Sequence, residues 1–205
     1  VAVISVILLP FKSLKAKELS ESGFNQSIAE LKKEALTDEN LAEIDKDLAR
    51  LQIITERFSK IGTDPGLEVK NIVPTVRNAY KYIRKRASQQ ISFEFVADEQ
   101  NLMALINMEL MSWVVENLMR NAIDSIQGKG QIKVHLFRKN NQIVIDISDD
   151  GKGIKSALFK TIFQPGFTSK KRGWGLGLSL SKRIVKNFHR GQIFVLKSEL
   201  NKGTT

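Results

Sequence analysis

The sequence of 205 residues contains no cysteine. The chain therefore forms no disulfide and no thiolate metal site, a composition that fits the reducing cytosol. Long apolar runs are also missing, since residues 1–9 end at Pro10 and a bilayer takes about twenty residues to cross. This segment has neither the cationic start nor the cleavage site of a signal peptide. It is compatible with the inner end of a longer membrane helix, a buried strand or a cloning remnant.

Internal repeats, low-complexity tracts and nucleic-acid-binding motifs are absent as well. What is present is an ordinary globular composition, 42% hydrophobic and 26% charged, with a net charge of +10. One or two domains are expected at this length. The positive charge is compatible with a solvated surface or with binding of polyphosphate, an acidic protein or an inner membrane face. Because the aromatic residues are not interleaved with the basic clusters, we expect no nucleic-acid partner.

Two glycine-bearing segments predict a ligand site. Asp149–Gly153 follows residues 142–148, which alternate like a strand, and Gly173–Leu178 opens a helical pattern. A strand that ends in a carboxylate and two glycines forms a tight turn with a fixed acceptor. A glycine-rich helix start exposes backbone N–H groups and the positive end of the helix dipole. Together they predict a nucleotide pocket, with the base at the first segment and the phosphates at the second.

Residues 108–127 predict an amphipathic helix with a row of polar side chains on one face. The predicted apolar side consists of Leu110, Trp113, Val114, Leu118, Ala122 and Ile126. We call Glu116, Asn117, Asn121 and Asp124 the polar row, because their spacings of three and four place them on a shared face. Amide and carboxylate oxygens are ligands that hydrated Mg²⁺ accepts. The alternative is a solvated face with no function.

These segments resemble the conserved boxes of one family. Glu116–Ala122 resembles the N box of sensor histidine kinases, Asp149–Gly153 the G1 box, Ile162–Lys170 the F box and Gly173–Leu178 the G2 box. Four boxes in the family's order and spacing form a specific signal, whereas one glycine motif is a weak one. The resemblance covers about residues 67–205.

The resemblance implies an α+β chain: a helical hairpin in residues 1–66, then a Bergerat-type α/β sandwich in residues 67–205 that binds ATP and Mg²⁺. The implied reaction passes the γ-phosphoryl group of ATP to a histidine and then to an aspartate of a response regulator receiver domain. A pseudokinase scaffold and a phosphatase acting on the regulator remain alternatives. The implied location is the cytoplasmic portion of an inner-membrane sensor, attached only through an upstream segment.

The same resemblance, with the polar row, assigns the candidate site residues. Glu116 and Asn117 are the candidate catalytic groups, and Asn121 is the expected Mg²⁺ ligand. A cationic loop, residues 166–173, is expected to close over the phosphates through Lys170, Lys171 or Arg172, unless it is only a solvated loop. The ATP-binding set is Asn117, Asn121, Asp124, Asp149, Gly151, Gly153, Ile154, Phe163, Phe167, Thr168, Lys170, Gly173, Gly175, Leu176, Gly177, Leu178 and Thr204.

Residues 11–62 predict two helices, the second with a near-heptad apolar seam from Leu41 to Ile61. Such a hairpin is expected to pair with a second copy as a four-helix bundle. The family carries its phosphoacceptor histidine in the first helix, yet residues 11–36 contain no histidine. Whether it was lost, engineered out or omitted stays open, and no phosphoacceptor is assigned. His135 and His189 are expected to be structural, the first facing away from the apolar side of a strand, the second as a cation at a helix end.

The remaining pattern predicts a helix and several strands. Residues 71–87 have a helical period, with an inward stripe of Ile72, Val76, Ala79, Tyr80 and Ile83. Residues 91–96 and 192–197 have strand patterns. Residues 133–137 and 142–146 predict two strands joined by a hairpin turn.

Overall fold

The computed structural model describes residues 66–170 and 175–205. The predictions for the hairpin, its dimer and the domain boundary lie outside these residues, and so do Lys171, Arg172 and Gly173. In chain order the elements are β1 (Glu68–Asn71), α1 (Ile72–Arg84), β2 (Ile91–Ala97), β3 (Met103–Ile106), α2 (Met108–Ser125), β4 (Gly130–Lys139), β5 (Gln142–Asp149), α3 (Gly177–Arg183), β6 (Ser198–Glu199) and β7 (Gly203–Thr204). Two short 3₁₀ turns, Ser156–Leu158 and Thr161–Phe163, precede α3, which continues as one π-helical segment, Ile184–Phe188.

The main sheet has five strands in the order β2-β4-β5-β7-β6. β2 runs parallel to β4, and the other neighbours are antiparallel. β1 and β3 form a separate antiparallel pair. The turn between β4 and β5 is made by Asn140 and Asn141, both with positive φ, the conformation that a two-residue hairpin turn requires. The predicted hairpin is therefore confirmed.

Two helices cover one face of the sheet. α1 begins at Asn71, whose Oδ1 accepts a hydrogen bond from the Val73 N–H at 3.1 Å, and α2 begins at Asn107, whose Oδ1 accepts from the Leu110 N–H at 3.0 Å. Such caps satisfy N–H groups that a helix start leaves unpaired. The buried stripe of α1 is the predicted one. In α2 the buried side also includes Met111, Val115 and Met119, while Trp113 is only half-buried.

The core lies between these helices and the sheet. Ile132, Val134 and Leu136 of β4 are fully buried and face the helices. His135 lies on the opposite face of β4, as predicted, where its Nε2 is 2.7 Å from Asp98 Oδ1. The α/β sandwich expected for this part of the chain is therefore confirmed.

The strand predicted at residues 192–197 is wrong. In that range only Val195 forms an isolated bridge, and the paired strand β6 begins at Ser198. β6 pairs with β7 through Ser198 and Glu199, and Lys197 and Thr205 exchange backbone hydrogen bonds. An alternating pattern becomes a strand only where its backbone groups meet a partner strand. Among the described helices, none is long and apolar enough to cross a bilayer.

Candidate functional site

Asp149 ends β5 as a buried carboxylate with one oxygen engaged. It is 4% exposed. Its Oδ1 accepts hydrogen bonds from the Ser125 hydroxyl at 2.8 Å and from the Gly151 N–H at 2.9 Å. Burial raises the pKa of this carboxyl, although the bonds from Ser125 and Gly151 oppose the shift. Within the described part of the chain no group donates to Oδ2, which leaves that oxygen as an acceptor for a ligand.

The two glycines after Asp149 are required by close packing of the turn. A Cβ on Gly151 would lie 1.9 Å from Ser125 Oγ. Gly153 has a φ of +70°, and a Cβ there would lie 2.1 Å from the Glu199 carbonyl oxygen. The turn is therefore fitted between the end of α2 and β6, and this packing fixes the direction of the Asp149 carboxylate.

The polar row of α2 faces two different neighbours. The Asn117 Nδ2 donates to Ser181 Oγ at 2.9 Å, and Ser181 is fully buried in α3. A Cβ on Gly177 would lie 2.5 Å from Asn117 Oδ1, so the first residue of α3 contacts Asn117 directly. Glu116 interacts within α2, where it accepts from Ser112 Oγ at 3.4 Å and lies 4.0 Å from Arg120.

Asn121 and Asp124 hold the ammonium group of Lys170. The Lys170 Nζ donates to Asn121 Oδ1 at 3.1 Å and to Asp124 Oδ2 at 2.5 Å. This contact brings the segment before residue 171 onto α2. A cation therefore fits between these two oxygens. Across the described ranges no cluster of three or more histidine, cysteine, aspartate or glutamate side chains could hold a metal, so Mg²⁺ would need water and a ligand to complete its coordination.

Gly175 packs against the loop that precedes it. Its φ is +64°, and a Cβ there would lie 2.5 Å from the carbonyl carbon of Gly166. The Gly166 N–H also donates to the Gly175 carbonyl at 3.2 Å. Gly175 therefore packs against the start of the loop, a role in addition to the phosphate contact predicted for it.

The remaining predicted residues fall into two groups. Thr204 is buried directly opposite Asp149 in the β5–β7 register, and its Oγ1 accepts from Ser198 Oγ at 2.9 Å. The Ile154 N–H donates to the same Ser198 Oγ at 2.7 Å. The second group lies around the loop and the start of α3: Phe163 is buried, Thr168 is exposed, and Phe167, Leu176 and Leu178 are half-buried.

The sequence analysis did not predict two serines that position site residues. Ser125 supports Asp149, and Ser181 supports Asn117. Ser125 follows Asn121 by four residues, as Asn121 follows Asn117, so an extended polar row contained the signal. The sequence pattern indicates Ser181 less clearly, because its only link to the predicted site is a position one helical turn after Gly177.

The expectation that His189 acts as a cation at a helix end is wrong. The ring is 2% exposed, and burial lowers its pKa. Its Nδ1 donates to the Ile184 carbonyl at 3.0 Å, and its Nε2 accepts from the Asn107 N–H at 3.0 Å. The neutral ring therefore joins the π-helical segment that continues α3 to the cap of α2.

The fold and site together define the class. A helix with two asparagines contacts the glycine start of a second helix, and a half-satisfied buried aspartate ends the adjoining strand. Such a site on an α/β sandwich is typical of nucleotide-binding domains. Residues 108–205 match the family described as histidine kinase-, DNA gyrase B- and HSP90-like ATPases. This part of the chain belongs to that family, and its relatives and structural neighbours identify it as a sensor histidine kinase catalytic domain.

Comparison with individual proteins agrees with this assignment. The signal transduction histidine-protein kinase AtoS of Escherichia coli is 39% identical over 112 residues, which cover 53% of this chain and 18% of AtoS. The catalytic domain of histidine kinase ThkA has a TM-score of 0.61 at 27% identity, over 67% of this chain and 90% of ThkA's domain. ThkA in complex with the response regulator protein TrrA has a TM-score of 0.64 at 18% identity, over 99% of this chain and 77% of that one, a likeness of fold alone. The chain spans 18% of the length of AtoS and 34% of the length of the adaptive-response sensory kinase SasA of Synechocystis sp..

Proposed function

We propose that the chain binds Mg²⁺–ATP at Asp149, the polar row and the start of α3, and transfers the γ-phosphoryl group to a histidine. The observation that carries the proposal is the Asp149 carboxylate, which is buried, held through Oδ1 and open at Oδ2. An adenine amino group can donate to such an oxygen at the edge of the ring. The Ser125 hydroxyl and the Gly151 N–H keep the carboxylate from turning away.

The phosphates belong at the other end of the site. The Gly177 start of α3 contacts Asn117, which brings the positive end of a helix dipole next to the polar row. Asn121 would ligate Mg²⁺ through Oδ1, with Asn117 beside it and Glu116 as a group that handles water or a proton. Mg²⁺ supplies charge neutralisation on the phosphate oxygens, and the protein supplies positioning.

In the transfer step an imidazole nitrogen attacks the γ-phosphorus while the bond to the β–γ bridging oxygen breaks and ADP leaves. The histidine proposed as acceptor lies on another chain, because residues 11–36 contain none. The phosphoryl group then passes to an aspartate of a response regulator. Support for this partner comes from ThkA, which is known in complex with a response regulator. Dimerisation through residues 11–62, and a place in the cytoplasmic portion of a sensor, belong to the same proposal.

The missing histidine favours one second candidate, an ATP-binding scaffold without transfer activity. Both candidates require nucleotide binding, so binding is tested first. Calorimetric titration with ATP and with GTP, each with and without Mg²⁺, should show Mg²⁺-enhanced binding of ATP and weaker binding of GTP, whose base presents an oxygen where adenine presents its amino group.

Asn121→Ala should remove the Mg²⁺ enhancement while leaving binding of metal-free ATP, because the variant loses the ligand oxygen but not the adenine contact. An unchanged unfolding midpoint controls for the fold. Equal Mg²⁺ enhancement in Asn121→Ala and wild type would mean that the polar row is a solvated face.

A further inference from the structure

Lys170 occupies the oxygen that the proposed function assigns to the metal. Its Nζ donates to Asn121 Oδ1 and, at 2.5 Å, to Asp124 Oδ2. The Lys170 N–H donates to Thr168 Oγ1 at 3.1 Å, which forms a local turn and limits where the lysine can reach. This turn holds the Lys170 backbone in place, and from there the ammonium group contacts the polar row.

We infer that Lys170 competes with the divalent cation for the polar row, and that Asp124 is the positioning residue that holds Lys170 there. This inference rests on the proposed function. An ammonium donates protons to oxygen lone pairs, whereas Mg²⁺ accepts the same lone pairs as ligands. The two cations cannot lie on Asn121 Oδ1 together at close range, since their charges repel and the space beside that oxygen is already filled by Nζ.

The Lys170 contact can open at low cost. The side chains of Lys170 and Asp124 are 41% and 49% exposed, and exposed ion pairs are weakened by water and salt. Once displaced by the metal, Lys170 keeps its charge within reach of an anionic ligand. Metal binding would in this way release the lysine toward the phosphates, which couples the two events.

Neutralising Asp124 should change the effect of Mg²⁺ on ATP binding in the direction opposite to that expected for a metal-binding residue. If Asp124 helped to hold the metal, its neutralisation would weaken the effect of Mg²⁺ on ATP binding. If Asp124 holds Lys170, its neutralisation should strengthen the effect of Mg²⁺, because the competing ammonium loses its anchor. The loss of a negative charge alone would act in the opposite direction, so an increase has no simple electrostatic explanation.

The experiment measures the Mg²⁺ enhancement, defined as the ATP dissociation constant in EDTA divided by that in saturating Mg²⁺. Calorimetry on the full chain compares wild type, Lys170→Met, Asp124→Asn and the double variant. Lys152→Met is the matched control, because it removes the same charge from a lysine whose Nζ is 3.4 Å from Ser169 Oγ and that is not bonded to the polar row. Unfolding midpoints establish that each variant is folded.

Both single variants should raise the enhancement about twofold to fivefold, the range expected for loss of an exposed ion pair. The double variant should match the single variants, and Lys152→Met should match wild type. The inference is overturned if Asp124→Asn lowers the enhancement or leaves it unchanged, or if Lys170→Met raises it no more than Lys152→Met. If wild type binds no ATP at all, the proposed function fails and this inference fails with it.

Discussion

Asp149 is held at one oxygen and open at the other, and this asymmetry suits it to read a base. The bonds from Ser125 and Gly151 both end on Oδ1, so Oδ2 has no donor among the described residues. Desolvation of the carboxylate is the cost of this arrangement and raises its pKa. The ionised carboxylate can accept from the base through both lone pairs of Oδ2, whereas a proton on Oδ2 would make that oxygen a donor.

Asp149→Asn should weaken ATP binding by about 1–3 kcal/mol, the cost of a mispaired buried polar contact. The amide would place a donor or a poorer acceptor where the adenine amino group donates. Titration with ATP and with an unrelated triphosphate measures the change. Asp150→Asn is the matched control, because Asp150 is exposed and its Oδ1 accepts from the Gln131 N–H at 2.8 Å. Unchanged ATP affinity in Asp149→Asn would remove this residue from base recognition.

Single residues of the site differed in how far the sequence could predict them. Asp149 and its glycines were predicted because a strand end and a Gly-x-Gly turn are local patterns. The reason why these positions must be glycine was not predictable. A side chain on Gly151 would collide with Ser125, and one on Gly153 would collide with Glu199. Both contacts join residues distant in sequence, and no local pattern encodes them.

At the scale of elements, α2 positions the site because both of its ends are anchored. At its start the Asn107 N–H donates to His189 Nε2, and at its end Ser125 supports Asp149. The His189 ring is buried, so its neutral form is favoured and its pKa in the folded protein lies below the ordinary value. Protonation would turn Nε2 into a donor facing the Asn107 N–H.

This contact predicts an acid-sensitive stability. As pH falls, His189 is protonated in the unfolded chain at about pH 6.5, before it is protonated in the folded protein. The stability that the neutral ring contributes is present above that pH and is lost as pH falls toward the lower folded-state pKa. Urea unfolding of wild type should show this loss, and His189→Gln should reduce it.

The matched control is His135→Gln, since His135 lies on the exposed face of β4 and contacts Asp98. That variant should keep the acid-dependent loss of stability. The account of His189 is contradicted if His189→Gln loses as much stability as wild type between neutral and mildly acidic pH.

The elements themselves were mostly predictable where their patterns were long. The stripe of α1 and the β4–β5 hairpin were correct because helical period, strand alternation and an Asn-Asn turn are local signals. The strand predicted at residues 192–197 was wrong because strand formation depends on pairing with a distant segment, which the alternation of side chains does not encode. The neutral state of His189 was missed because its burial depends on packing against the cap of α2.

For the whole molecule, the proposed ATP site stands in a chain whose residues 11–36 contain no histidine to accept the phosphoryl group. Phosphoryl transfer needs a nucleophile held in line with the γ-phosphate. His189 is buried and bonded at both ring nitrogens, and His135 lies on the face of the sheet away from α2. Neither ring is available to a nucleotide between α2 and α3.

The chain should therefore bind ATP without labelling itself. Incubation with γ-labelled ATP should leave no acid-labile, base-stable label on the chain, whereas a separate histidine-bearing hairpin from a relative should become labelled if the two chains dock. Acid-labile label on this chain alone would mean that His135 or His189 can be reached, and that the account of the acceptor is wrong.

A crystal structure of the chain with Mg²⁺ and a non-hydrolysable ATP analogue tests the proposed nucleotide site directly. It should show the adenine amino group within hydrogen-bonding distance of Asp149 Oδ2, a Mg²⁺ ion on Asn121 Oδ1 and the phosphates at the start of α3. A nucleotide bound elsewhere, or an adenine ring that makes no contact with Asp149, would contradict it.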